Sequence, residues 1–129
     1  MSDRSVRVNE SDRPWESDDG DPDSLRVLRW RRLIAGELTP TSGLSMGTFE
    51  VPPGAELALH RHRPPEVYYV TEGAAEVFCD GEWRPLRRGD AVYQPGDSVH
   101  GVRNRGEERV VIVWMFPTDT YEEIEYVDA

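Results

Sequence analysis

From Ser24 onward the chain reads as short apolar runs with period-two alternation, each cut off by Gly, Pro, Asp or Asn. Alternation at period two puts successive side chains on opposite faces of an extended strand. No segment after Ser24 carries a sustained helical period. The runs are 26–33, 45–51, 56–61, 67–71, 75–79, 82–86, 91–94, 99–103, 109–116 and 123–126. Asp80-Gly81 separates two of them by two residues, the signature of a type I′ hairpin turn. Pro52-Pro53-Gly54 and Pro95-Gly96 also interrupt pairing, because proline donates no backbone hydrogen bond. Many short, evenly spaced strands predict an all-β fold, an antiparallel barrel or jelly roll.

The 129 residues suffice for one such domain and no second. Residues 1–24 differ from the rest. Asp3, Glu10, Asp12, Glu16, Asp18, Asp19, Asp21 and Asp23 crowd a stretch with few apolar side chains, which predicts a largely flexible lead-in. Within it, Pro14-Trp15 is the piece expected to dock. The folded domain is expected to run over 25–129. A net charge of -10 argues against nucleic acid or an anionic membrane as partner. No apolar run is long enough to span a bilayer, and the polar start is not that of a signal peptide. The single cysteine, Cys79, cannot form an internal disulfide, so a reducing cytoplasm is the expected setting. Every basic residue is Arg, which removes Schiff-base and lysine general-base chemistry.

The three histidines fall in a pattern. His60 and His62 are two apart in a strand and share a face. Pro64-Pro65 then turns the chain, Glu66 opens the next strand, and His100 follows the Pro95-Gly96 turn. A folded sheet can bring these strands around one interior point. Imidazole and carboxylate suit one first-row divalent ion, with Fe, Mn, Ni, Zn and Co all compatible. Four protein ligands would leave two octahedral positions for water or substrate.

The same residues resemble the two sequence motifs of the cupins. Gly54, five residues, His60-Arg61-His62, three residues, Glu66, six residues and Gly73 reproduce the first. Gly89, five residues, Pro95, then His100 and Asn104 are similar to the second, except that its usual Gly position holds Asp97 and the Gly is one earlier, at Gly96. The resemblance implies metal-ligand roles for His60, His62, Glu66 and His100. Further stretches are similar to the short single-domain dimethylsulfoniopropionate lyases: Arg29-Trp30, Ser42-Gly43-Leu44-Ser45, Glu66-Val67-Tyr68, and the tail from Phe116-Pro117-Thr118-Asp119 to Tyr126. That likeness implies elimination of dimethyl sulfide from a small carboxylate to leave acrylate, with Tyr68 and Tyr126 as catalytic phenols beside the metal. Cupins of this kind also include Fe(II)-type dioxygenases, sugar or keto-acid isomerases and non-catalytic metal binders, so these stay open as alternatives.

A dication near a phenol should lower its pKa from about 10 and make it a usable base. A sulfonium head would favour aromatic faces, for which Trp30, Tyr68, Tyr93 and Trp114 are candidates; Asn104 shares strand parity with His100 and joins the substrate-pocket candidates. Gly43-Leu44-Ser45-Met46-Gly47 fits a hydrolase nucleophile elbow, but strand rather than helix follows it, so Ser45 is expected to be structural. Arg31-Arg32 and Arg87-Arg88 are expected to be solvated or locally paired. Val110–Phe116, apolar on both faces, is expected to be buried on both. Trp83 and Trp114 are expected in the core or at a subunit interface, and a homodimer is expected.

Overall fold

Turn chemistry divides the chain where the alternating runs end. A computed structural model describes residues 4–129, so Asp3 of the acidic lead-in lies outside the described residues. Its strands are β1 (Arg29–Ile34), β2 (Ser45–Val51), β3 (Glu56–Arg61), β4 (Glu66–Glu72), β5 (Ala74–Cys79), β6 (Glu82–Arg87), β7 (Ala91–Gln94), β8 (His100–Arg103), β9 (Val110–Phe116) and β10 (Val127–Asp128). Single 3-10 turns form at Glu10–Asp12 and Tyr121–Glu123. Asp80 and Gly81 both take positive φ, 53° and 83°, and join β5 to β6 as the hairpin signal requires. Gly73 links β4 to β5 at φ 82°, where a Cβ would run into the carbonyl of Arg109.

The strands pair antiparallel in two five-stranded sheets, ordered β1-β2-β9-β4-β7 and β10-β3-β8-β5-β6. The expected barrel is therefore not closed. Among the described residues no ladder joins the edges of one sheet to those of the other, and the two layers meet through their side chains. Links that cross from layer to layer carry the turn-formers Pro52-Pro53-Gly54, Pro64-Pro65 and Pro95-Gly96, whose prolines cannot continue a ladder. The jelly-roll alternative is the form taken.

β9 lies at the centre of its sheet. Its Val110, Ile112, Trp114 and Phe116 are buried, with Phe49, Val51, Tyr68 and Val70 from the neighbouring strands in the same core. The opposite face of β9, Val111, Val113 and Met115, is only half-buried, so the expected burial on both faces is met on one. Trp114 is 3% exposed and belongs to the core. Trp83 is not part of that core; it is half-buried, packed on Phe78 and under Arg103.

Two readings of the chain ends change. The run 123–126 is not a strand: Thr120 and Glu123 form a capping box over Tyr121–Glu123, and the strand is the later Val127–Asp128, paired with β3. Alternation alone could not weigh the local cap. In the lead-in, Glu16 exchanges backbone hydrogen bonds with Trp30 at 2.7 and 2.9 Å. Trp15 docks under the guanidinium groups of Arg29 and Arg31 at 4.0 and 3.8 Å. Glu10 pairs with Arg31, and Glu16 with Arg32. Two of the acids that suggested a solvated tail, Glu10 and Glu16, are counter-ions for arginines of β1, so this part of the lead-in lies along the sheet edge.

Candidate metal centre

His60 of β3 and His100 of β8 are direct cross-strand partners, and residues so paired point to one face of their sheet. His62 lies just past the end of β3, two residues on, and keeps the same side. Glu66 opens β4 in the opposite sheet, so the four side chains meet between the layers. All four are 5% exposed or less.

Each imidazole is oriented by the backbone. Nδ1 of His60 lies 2.7 Å from the carbonyl of Ala58, that of His62 2.8 Å from Pro64, and that of His100 2.9 Å from Ser98. A carbonyl only accepts, so Nδ1 carries the proton in all three rings and Nε2 presents a lone pair in the neutral form. The candidate ligand atoms of the three rings lie within 4.8 Å of one another. Nε2 of His60 and of His100 is buried without a hydrogen-bond partner among the described residues. One carboxylate oxygen, Oε1 of Glu66, stands 3.1 Å from His62 Nε2 and 3.3 Å from His100 Nε2. Converging lone pairs, two of them without a hydrogen bond among the described residues, beside a buried carboxylate fit a divalent first-row ion.

Electrostatics agree. Burial, helped by the charges of His100 and His62, pushes His60 down to about 4, so it stays neutral and ready to ligate. Burial works against charge on His62 as well, but the hydrogen bond and charge of Glu66 outweigh it and raise its pKa. His62 Nε2 and Glu66 Oε1 thus face each other at 3.1 Å, where a cation would bind both.

The departure in the second motif has a local cause. A Cβ at Gly96 would run into the carbonyl of Arg63, so glycine is needed there for the β7–β8 turn to pack on the His62 loop. Asp97 takes the left-handed conformation itself, φ 62°, which Asp tolerates better than most residues. Its amide donates to the carbonyl of His62 at 2.7 Å and pins that ligand's backbone.

A cavity of about 380 Å³ opens from this centre, its wall including His60, Glu66, Tyr68, Trp30, Trp114 and Tyr126. Tyr68 is 1% exposed and packs edge-on against Phe49. Tyr126 is partly exposed, yet its ring centroid is 5.2 Å from that of His60 and 5.3 Å from that of His62.

Residues 47–116 match the family described as Cupin domain, more than half of the chain. The chain belongs to the cupin family. Among curated proteins, this cupin is 39% identical over 99 residues to the dimethylsulfoniopropionate lyase DddW of Ruegeria pomeroyi, a match covering 77% of this chain and 64% of that protein. It is also 32% identical over 68 residues to a 5-nitrosalicylic acid 1,2-dioxygenase of a Bradyrhizobium species, covering 53% of this chain and 33% of that one. Among solved structures, the polyketide cyclase RemF of Streptomyces resistomycificus superposes with a TM-score of 0.77 at 18% identity, covering 98% of this chain and 86% of that one, a likeness of fold. The chain thus spans less than two thirds of the length of each of these two curated relatives.

Two pocket candidates of this cupin fall elsewhere. Tyr93 is 66% exposed and points to the outer face of β7. Its parity in the strand is opposite to that of Gln94, which takes the inward place. Asn104 is buried, but its amide donates to the carbonyls of Val51 and Glu108 and its oxygen accepts from Gly106, so it ties a turn together away from the cavity. Trp30 and Trp114 do line the cavity. The phenols also differ from expectation in the metal-free chain. Burial first, then the charge of Glu66, holds Tyr68 well above 10, and burial with the neighbouring Tyr121 raises Tyr126. The expected lowering depends on a cation in place.

Sequence reasoning missed Tyr121, whose hydroxyl is 3.5 Å from that of Tyr126, and the acids Asp18, Asp19, Glu56 and Asp128 on the cavity wall. Reading the tail as a strand hid Tyr121. Asp18 and Asp19 reach the cavity only because the lead-in docks, which no local pattern signals.

Proposed function

We propose that this cupin is a divalent-metal-dependent carbon–sulfur lyase that converts dimethylsulfoniopropionate, or a close sulfonium carboxylate, to acrylate and dimethyl sulfide. The observation that carries the reading is the pairing, in one cavity wall, of His60 and Glu66 from the buried cluster with the two phenols Tyr68 and Tyr126. The wall supports a cationic head group. Trp30, Phe49 and Trp114 offer aromatic faces, and Asp18, Asp19 and Asp128 add negative charge. The similarity to a lyase of this substrate supports it independently.

His60, His62, Glu66 and His100 would hold the ion, which when bound would supply positive charge to the substrate carboxylate and to the adjacent phenols. Tyr126, as phenolate, takes the α-proton. The C–H electron pair becomes the new C=C bond, and the C–S bond breaks with its pair leaving on sulfur. Dimethyl sulfide departs neutral, so no general acid is needed. Tyr68, fixed in the core beside Glu66, orients that carboxylate. Tyr121 holds the Tyr126 hydroxyl in place.

The test is headspace sampling of purified protein with Mn(II), Fe(II) or Ni(II) and substrate, sealed under nitrogen. Dimethyl sulfide is expected with at least one metal, and none with any metal, in nitrogen or in air, contradicts the reading. Tyr126→Phe should lower kcat about 10²–10⁴-fold, the usual worth of a general base. Full activity in both Tyr126→Phe and Tyr68→Phe would remove the phenols from the mechanism.

The reading includes a homodimer. Tyr69 and Tyr93, 44% and 66% exposed, share the outer face of β4 and β7 and favour pairing of two copies there. Light scattering should give twice the chain mass, and a single-chain mass contradicts it. A cytoplasmic setting is part of the same reading; among the described residues no helix is long and apolar enough to cross a membrane.

A further inference from the structure

Gln94 is a polar side chain in an apolar place. It is 1% exposed, and among the described residues neither its amide nitrogen nor its carbonyl oxygen has a hydrogen-bond partner. Buried carboxamides are nearly always bonded, so one left bare on both atoms needs a reason. A leucine there would fill similar space without the desolvation cost.

Position supplies the reason. Gln94 ends β7, directly opposite Glu66 of β4 in the antiparallel register. Directly opposed residues lie side by side on one face of a sheet. Glu66 faces the gap between the sheets, so Gln94 faces it too, at the metal-centre end. The next residues are Pro95 and Gly96-Asp97, which pack on the His62 loop, with the Asp97 amide donating to the carbonyl of His62. His60 Nε2 and His100 Nε2, which make no hydrogen bond among the described residues, belong to the same cluster.

We infer that Gln94 contacts ligand at this centre: its side-chain N–H donates to an oxygen ligand held beside Glu66, either water or the substrate's carboxylate. The inference rests on the metal-centre reading of the proposed function and not on the elimination step. It predicts a trade-off that a structural glutamine would not show. Removing the amide should leave the empty fold as stable or more so, while weakening the hold on a carboxylate.

Co(II)-loaded protein titrated with propionate, followed by its visible spectrum, tests this without turnover. In Gln94→Leu, metal content and the melting temperature of the metal-free protein should match or exceed wild type, and propionate affinity should fall about tenfold or more, the worth of one charge-assisted hydrogen bond. A change in the Co(II) spectrum before propionate is added assigns the contact to water; a change in propionate affinity alone assigns it to the carboxylate. Gln94→Met, which keeps length without the amide, should behave as Gln94→Leu does. Unchanged spectrum and affinity in the variants overturn the inference, as does a wild-type protein whose spectrum propionate does not move. Loss of folding in both variants also overturns it, since the amide would then have a structural partner. Dimethyl sulfide release by wild type reports on the elimination separately, so the two failures are told apart.

Discussion

His60 shows how far burial sets the chemistry of a single residue here. Its folded pKa of about 4 lies below the ordinary 6.5. As pH falls below 6.5 the unfolded chain takes up a proton that the folded chain refuses, so this group costs the metal-free fold stability between pH 6.5 and 4, on the order of 3 kcal/mol in all. His62, raised by Glu66, acts with the opposite sign: its contribution is full below 6.5 and is lost as pH rises through its folded pKa. Urea denaturation of the metal-free protein across this range should therefore show a shallower acid-side loss in His60→Gln than in wild type, and parallel curves would contradict the assignment. Strand parity put His60 and His62 on one face, and the likeness to the cupin motifs implied Glu66 and His100 beside them; the fold brings these four side chains between the two sheets. Tyr93 and Asn104 were not, since parity says which residues share a face but not which face is inside, and a buried asparagine serves turns as readily as ligands.

At the scale of elements, turns decide where the ligands stand. Ser45–Val51, Glu56–Arg61 and Ala91–Gln94 form over the residues that alternation marks, and the Asp80-Gly81 hairpin forms at its signal. The tail escaped the same logic, because a capping interaction between Thr120 and Glu123 competes with extended structure over a few residues. The β7–β8 turn is the most consequential, since Gly96 and Asp97 carry the His62 loop. Gly96→Ala should push the Arg63 carbonyl away, cost about 1–3 kcal/mol as overpacking does, and weaken metal binding by displacing His62. Thermal melts and metal content of the same preparation check this, and a variant as stable and as metal-rich as wild type contradicts it.

For the whole molecule, two sheets that face each other without closing leave a gap at one end, and the cavity occupies it. The all-β class was legible from the number and spacing of strands. Closure was not, because the same alternation serves a barrel and a sandwich. The lead-in was hidden for a different reason: Glu10 and Glu16 look solvated until β1 places Arg31 and Arg32 beside them. Trp15→Ala removes the stacking surface of two guanidinium groups and should cost about 1–2 kcal/mol. Loosening Asp18 and Asp19 with it should raise KM for the sulfonium substrate more than it lowers kcat, and steady-state kinetics with unchanged KM would contradict that role for the lead-in.

Everything chemical in this account depends on one ion between the sheets. The direct measurement is metal stoichiometry by elemental analysis after loading and desalting, on wild type and on His60→Ala and His100→Ala. One divalent ion per chain in wild type, lost in both variants with the fold intact by circular dichroism, is the expected result; no ion in wild type, or an equal content in all three, would contradict it.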